Sequence, residues 1–136
     1  MTQKILGYVM AKNEWPILGL SIVHALRMGC EHVIVVNHQS TDDTACRLDR
    51  LKYAMADRLT IITLDHDQYL QETTTKVVLS GFGADLYDWV YTFDADEFLL
   101  HQGQKCLADI LQSMSADVDA VRYQVDQWVA PNDMDD

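Results

Sequence analysis

Positive charge is scarce in this chain: ten Lys and Arg stand against 21 Asp and Glu, a formal net charge of −11 at neutral pH. Such a chain repels a phosphate backbone instead of releasing its counterions, which argues against nucleic acid as a partner. Cysteine is sparse as well. Cys30, Cys46 and Cys106 lie far apart, form no CxxC pair and make an odd total, so neither a disulfide framework nor a zinc ribbon is suggested. A reducing, cytoplasmic compartment is the expectation. Long apolar runs are missing too. No stretch approaches the ~18 residues of a membrane span, and the run from Ile5 to Ala11 is cut at once by Lys12, Asn13 and Glu14. No address signal, internal repeat or low-complexity linker is visible, and the chain reads as soluble.

What is present is a globular composition: 136 residues and 15.5 kDa, with 49% apolar and 23% charged residues. That length suits one domain around one core. Apolar runs and helical periods alternate along it, as in a layered α/β domain. A first strand is expected over Lys4 to Ala11, then a helix capped by Asn13, with Pro16 in its first turn and Leu18, Ile22 and Leu26 inward. Gly29 is expected to end it in a left-handed conformation. The run Val33, Ile34, Val35, Val36 within His32 to Asn37 is too continuous for a half-exposed strand and reads as a central parallel one.

Ser40 and Asp43 have capping-box spacing before a helix with Ala45, Leu48, Leu51 and Met55 on its inner stripe. Leu59 to Leu64 reads as a third strand. Glu72 to Leu86 reads as a helix with Val78, Phe82 and Leu86 inward, despite Gly81 and Gly83. A fourth strand is expected over Trp89 to Phe93, and a helix near Gln104 to Met114 burying Leu107, Ile110, Leu111 and Met114. Alternation of Val121, Tyr123 and Val125 with Arg122 and Gln124 predicts a last strand over Ala120 to Val125, before an aperiodic tail.

Ligands of open α/β sheets bind beyond the carboxyl ends of the strands. The loops after strands one, two and four are all polar: Lys12 to Glu14, Asn37 to Asp43, and Asp94-Ala95-Asp96-Glu97-Phe98. Residues two apart in an extended segment point the same way, so Asp94 and Asp96 present two carboxylates on one side of small Ala95. Taken alone, an Asp-x-Asp triplet is a common feature of exposed turns. Here it lies between a strand carrying Trp89, Val90, Tyr91 and Phe93 and the apolar Phe98, Leu99 and Leu100, which holds the pair at the rim of the core. Paired hard oxygens suit Mg²⁺ or Mn²⁺, which keep open positions for waters and substrate phosphates. A bridging cation of this kind is what lets so acidic a protein hold a diphosphate.

The segments KNE at Lys12 to Glu14, VVNHQSTDDT after the second strand and WVYTFDADEFL around the triplet resemble the donor-binding half of a family 2 glycosyltransferase with the GT-A fold. The resemblance implies a mostly parallel α/β sheet with helices on both faces. It also implies inverting, metal-dependent sugar transfer from a nucleotide-sugar donor to an unidentified acceptor. In the family, positions matching Asp94 and Asp96 hold Mn²⁺ or Mg²⁺ on the diphosphate. Those matching Asn13, Glu14, His38, Asp42 and Asp94 surround the nucleotide. The sequence departs from the family in placing Asn37, His38 and Gln39 where an acidic pair and a glycine are common, so His38 replaces the usual base-reading Asp. Family members also continue into an acceptor-binding half that carries the general base, whereas this chain stops about 40 residues after Asp96. The base is expected outside these residues, and the 136-residue chain is expected to bind donor yet transfer sugar poorly.

Other readings stay open at this point. Glu14 equally suits the dipole of the first helix, and Asp43 a helix N-terminal charge. His24, His32, His66 and His101 lack ligand spacing. Gln71 and Lys76 suit either a phosphate or sugar contact or a solvated helix face, and Trp15 either packing beside Pro16 or base stacking. A strand-Asp-x-Asp order also suits an aspartyl-phosphate phosphohydrolase. Against that, the motif sits late, with only Lys105 and Arg122 as cations beyond it. A non-catalytic nucleotide- or protein-binding module is the third alternative.

Overall fold

A computed structural model describes residues 2–127. The tail expected at the carboxyl end, residues 128–136, lies outside the described residues. Strands β1 (Ile5–Ala11), β2 (His32–His38), β3 (Leu59–Leu64) and β4 (Trp89–Thr92) form one sheet in the order β3-β2-β1-β4. All three pairings are parallel, with Gly7 opposite Val33, Tyr8 opposite Thr92 and Val35 opposite Ile61. Helices α1 (Ile17–Arg27), α2 (Thr44–Met55) and α3 (Gln71–Gly81) fill the connections, and α4 (Leu107–Gln112) follows β4. The two inner strands are the two continuous apolar runs. Strands covered on both faces need no alternation, and every residue of β1 is buried.

The two faces are unequal. Ile5, Val9, Val33 and Val35 point to one side, where Leu18, Ile22 and Leu26 of α1, Leu48 of α2, and Leu107 and Leu111 of α4 close a large core. Leu6, Tyr8, Met10, Ile34 and Val36 point to the other side, where α3 contributes Val78 alone among its buried apolar residues. On the thick side Gly29, at φ +111°, turns the chain after α1 and leaves no room for a Cβ beside Ala108. The Ala108 amide donates to the Met28 carbonyl there at 3.2 Å, which pins α4 to the end of α1. Trp15 lies with its ring against Gly19, 2.5 Å from where a Cβ would stand, so the indole is a packing group.

Several local expectations are corrected. Asn13 does not cap α1: Pro16 precedes the helix with no side-chain cap. The capping box at Ser40 and Asp43 is absent too, since neither side chain caps α2, and Ala45 is exposed. The helix expected over Glu72 to Leu86 stops at Gly81. Gly83, at φ +74°, breaks it before a 3₁₀ turn at Ala84–Leu86. Phe82 and Leu86 are consequently 52% and 74% exposed instead of inward. α4 is shorter than Gln104 to Met114, and the strand expected at Ala120 to Val125 is not formed. Alternation specifies a strand only where a neighbour supplies a ladder. Tyr123 reaches β4 instead through its side chain, donating to the Thr92 carbonyl at 3.4 Å.

Candidate functional site

The carboxyl ends of β1 and β2 are tied together by a polar brace. Asn13 sits at φ +55°, a left-handed conformation that asparagine tolerates. Its Oδ1 accepts from the amides of Thr41 at 2.7 Å and Asp42 at 3.3 Å, and its Nδ2 donates to Thr41 Oγ1 at 3.1 Å. The Ser40 hydroxyl accepts from the Asn13 amide at 3.0 Å and donates to Oδ1 of buried Asn37. Residue types that serve as helix caps are spent here on holding two loops in register. Asp42 is spent in the same way: its Oδ1 accepts from the Thr44 amide at 2.9 Å, and the Thr44 side chain and amide hold its carboxyl below the ordinary range.

Beyond β4 the chain closes a turn. The Glu97 amide donates to the Asp94 carbonyl and the Asp94 amide donates to the Glu97 carboxylate, each at 3.0 Å. Ala95 is 1% exposed and packs into the core, whereas Asp94 and Asp96 on either side of it are exposed. The carboxylate pair therefore faces solvent from a buried anchor. Glu14 joins it. Burial pushes its carboxyl up, a backbone hydrogen bond at Lys12 opposes that, and the fields of Asp96 and Asp94 push it further up. Three carboxylates share this rim, and like charges so gathered favour a bound cation. Among the described residues no three His, Cys, Asp or Glu side chains converge closely enough to hold a metal ion unaided. The donor set fits an ion held by two carboxylates whose remaining positions come from phosphate and water.

His38, at the end of β2, is 0% exposed, and neither ring nitrogen has a hydrogen-bond partner. Its ring meets the edges of His66 and Tyr69, each with centroids 5.1 Å away. Burial raises the Tyr69 phenol, and the charges of Glu14 and Asp94 raise it further. The segment after β3 thus faces the same acidic rim. Of the candidate residues, then, Glu14, Asp94 and Asp96 are drawn together. Asn13 is taken up by the loop after β2 and Asp42 by the first amide of α2, and His38 is covered by two rings. Gln71 lines a hollow under the acidic turn, while Lys76 is paired on the surface with Glu72 at 2.7 Å. His24 also has a structural duty, its Nε2 2.8 Å from the Leu99 carbonyl just past the turn.

Sequence reasoning missed His66, Tyr69 and Tyr8. The loop after β3 follows a parallel strand like the other three, which is the signal that would have included His66 and Tyr69. Tyr8 carries its own signal, since a phenol in a fully buried strand needs a partner for its hydroxyl.

No protein-family model matches the chain, and no curated protein matches it. Among solved structures, it is similar to the mannosyltransferase PcManGT from Pyrobaculum calidifontis in complex with GDP-mannose and Mn²⁺. That likeness has a TM-score of 0.62 at 19% identity and covers 74% of this chain and 30% of that one. It is also similar to S. aureus TarS 1-349, with a TM-score of 0.51 at 20% identity over 70% of this chain and 28% of that one. The chain spans less than a third of either protein's length. At these identities the likeness establishes the fold, the GT-A-like α/β sheet with helices on both faces. No helix among the described residues is long and apolar enough to cross a membrane.

Proposed function

We propose that this chain is the donor-binding half of a metal-dependent, inverting glycosyltransferase of family 2 type, taking a nucleotide sugar. One observation carries the reading: Asp94 and Asp96 stand exposed on either side of buried Ala95, with Glu14 beside them, at the carboxyl end of a parallel strand. A fold shared with a mannosyltransferase solved with GDP-mannose and Mn²⁺ supports it.

In this reading Asp94 and Asp96 hold Mn²⁺ or Mg²⁺, which when bound supplies Lewis-acid stabilisation to a departing diphosphate. Glu14 contributes negative charge to the same rim. Asn13 and Asp42 serve the nucleotide indirectly, through the brace that fixes the two loops. The unpaired ring nitrogens of His38 are the group left to meet a base edge, which requires the His66 and Tyr69 rings to swing aside. Acceptor binding and the general base are assigned to parts of the fold beyond the region shared with the two neighbours.

Calorimetric titration of the chain with GDP and UDP, with Mn²⁺ or with excess chelator, tests the reading. Saturable binding that needs the metal is expected, with Asp94→Ala and Asp96→Ala each weakening it at least about tenfold, the equivalent of about 1.4 kcal/mol. Both side chains are exposed, so the variants keep the fold. Equal affinity in chelator contradicts the metal role.

A further inference from the structure

We infer that His24 of α1 is a positioning residue for the acidic turn, whose hydrogen bond to the chain just past it holds Asp94 and Asp96 in place relative to Glu14. This rests on the metal-dependent reading of the turn and adds what aims its carboxylates. The imidazole is half-buried, and its Nε2 lies 2.8 Å from the Leu99 carbonyl. A carbonyl oxygen only accepts, so Nε2 carries the proton and donates whether the ring is neutral or charged. The same ring meets Phe98 in an edge-to-face contact, with centroids 5.5 Å apart and planes at 64°. One side chain thus grips two consecutive residues, the second and third after Asp96.

The turn depends on that grip. Its own two hydrogen bonds, between Asp94 and Glu97, close the loop on itself and attach it to nothing else. On the entering side the Phe93 amide donates to the Tyr8 carbonyl at 3.1 Å, and Phe93 and Ala95 are buried. On the leaving side, among the described residues, the bond from His24 is the one hydrogen bond that ties residues 98–100 to the rest of the fold. Leu99 adds only partial packing against the large core. Helix α1 is a firm base for the bond, because Leu18, Ile22, Ala25 and Leu26 are all buried in that core. The Leu18 amide also donates to the Glu14 carbonyl at 2.9 Å. The helix therefore carries Glu14 at its entrance and His24 further along, and through it the turn is registered against Glu14. A small divalent ion demands near-ideal placement of its oxygen ligands. A group that orients those ligands acts on affinity without touching the ion.

The test is calorimetry of the full chain with Mn²⁺ and GDP or UDP, comparing wild type, His24→Gln and His24→Leu, each alone and combined with Asp96→Ala, below the thermal transition of every variant. The two replacements have similar bulk, and only glutamine carries an N–H to donate. His24→Leu is expected to bind about fivefold more weakly, the effect of one neutral hydrogen bond, and His24→Gln within about twofold of wild type. On the Asp96→Ala background the loss from His24→Leu is expected to shrink toward none, because the carboxylate it aims is gone. Should His24→Leu fail to fold, His24→Asn, whose shorter amide does not reach Leu99, takes its place with the same expectation. Equal losses in His24→Gln and His24→Leu overturn the inference by showing that the ring's shape and not its donor matters. A loss that persists in full without Asp96 also overturns it, since a general structural defect does not need that carboxylate. Unchanged affinity in His24→Leu, with wild-type binding intact, overturns it and leaves the metal-dependent reading standing. Wild type that binds neither nucleotide in Mn²⁺ overturns both.

Discussion

The two faces of the sheet divide the work of the molecule. On the α1, α2 and α4 side, strand residues at odd positions meet leucines and isoleucines from three helices in one continuous core. Cys30 lies in that core with its thiol pushed up to about 12, mainly by burial, which leaves it chemically inert. On the α3 side one helix adds a single buried valine to the apolar core, and the strands present Tyr8 and His38 with their polar atoms unpaired. A face that leaves buried polar groups without partners is poorly built for stability and well built for receiving a ligand. The difference teaches where to look: the thick face holds the fold, and the thin face and its rim hold the chemistry.

That contrast breaks if truncations cost the same per carbon removed on both faces. Ile22→Ala in α1 is expected to cost about 2–5 kcal/mol, since it opens a hole in a filled core. Val78→Ala in α3 is expected to cost about 1.5 kcal/mol, two methylenes' worth of burial on a face that already has space. Urea denaturation of the two variants measures the gap, and equal costs per carbon removed, three for Ile22 and two for Val78, erase the asymmetry.

A smaller effect sharpens the account of the rim. Burial first, then Asp96 and Asp94, raise the Glu14 carboxyl above its ordinary value of 4.5 in the folded chain. Between that value and the raised one the native state binds more protons than the unfolded state, so the group's contribution to stability falls as pH rises through the window. Glu14→Gln is therefore expected to be more stable than wild type at about pH 7, by less than about 1 kcal/mol because solvent screens a partly exposed group. The advantage shrinks toward zero below about pH 3, where the carboxyl is protonated in both states. Paired denaturation curves across that range read the difference, and an advantage that grows on acidification contradicts the sign.

Much of this was legible in the sequence, for reasons that differ by region. Strands β1 and β2 fall within a residue of expectation because strands buried on both faces leave unbroken apolar runs, and the half-buried edge strand β3 matches through its β-branched residues Thr60, Ile61, Ile62 and Thr63. The triplet was legible from its residue types and its place after an apolar strand, although residues 94–97 close a turn where an extended segment was expected. Asn13 and Ser40 were misassigned because asparagine and serine accept from any nearby amide. A cap and a loop brace differ only in which amide the fold brings within reach. Continuous burial hid the thin face: in a run such as Val33 to Asn37 nothing along the chain says which side meets three helices and which meets one. Tyr8 therefore reads as an ordinary strand residue along the chain, and His38 stands out only through the family resemblance. The helix across Gly81 and Gly83 failed for a backbone reason, since Gly83 takes a left-handed turn open to glycine at no cost.

Backbone hydrogen exchange with and without GDP and Mn²⁺ tests the division of faces most directly, because it reports on every amide rather than on one side chain. Added protection is predicted at the ends of β1 and β4, in the loops around Asn13 and Thr41, in the segment from Asp65 to Leu70 and in the first turns of α3. The amides of α1 and α4 are predicted to exchange as before. Protection concentrated on α1 or α4, or spread evenly over the sheet, would contradict the assignment of ligand binding to the thin face.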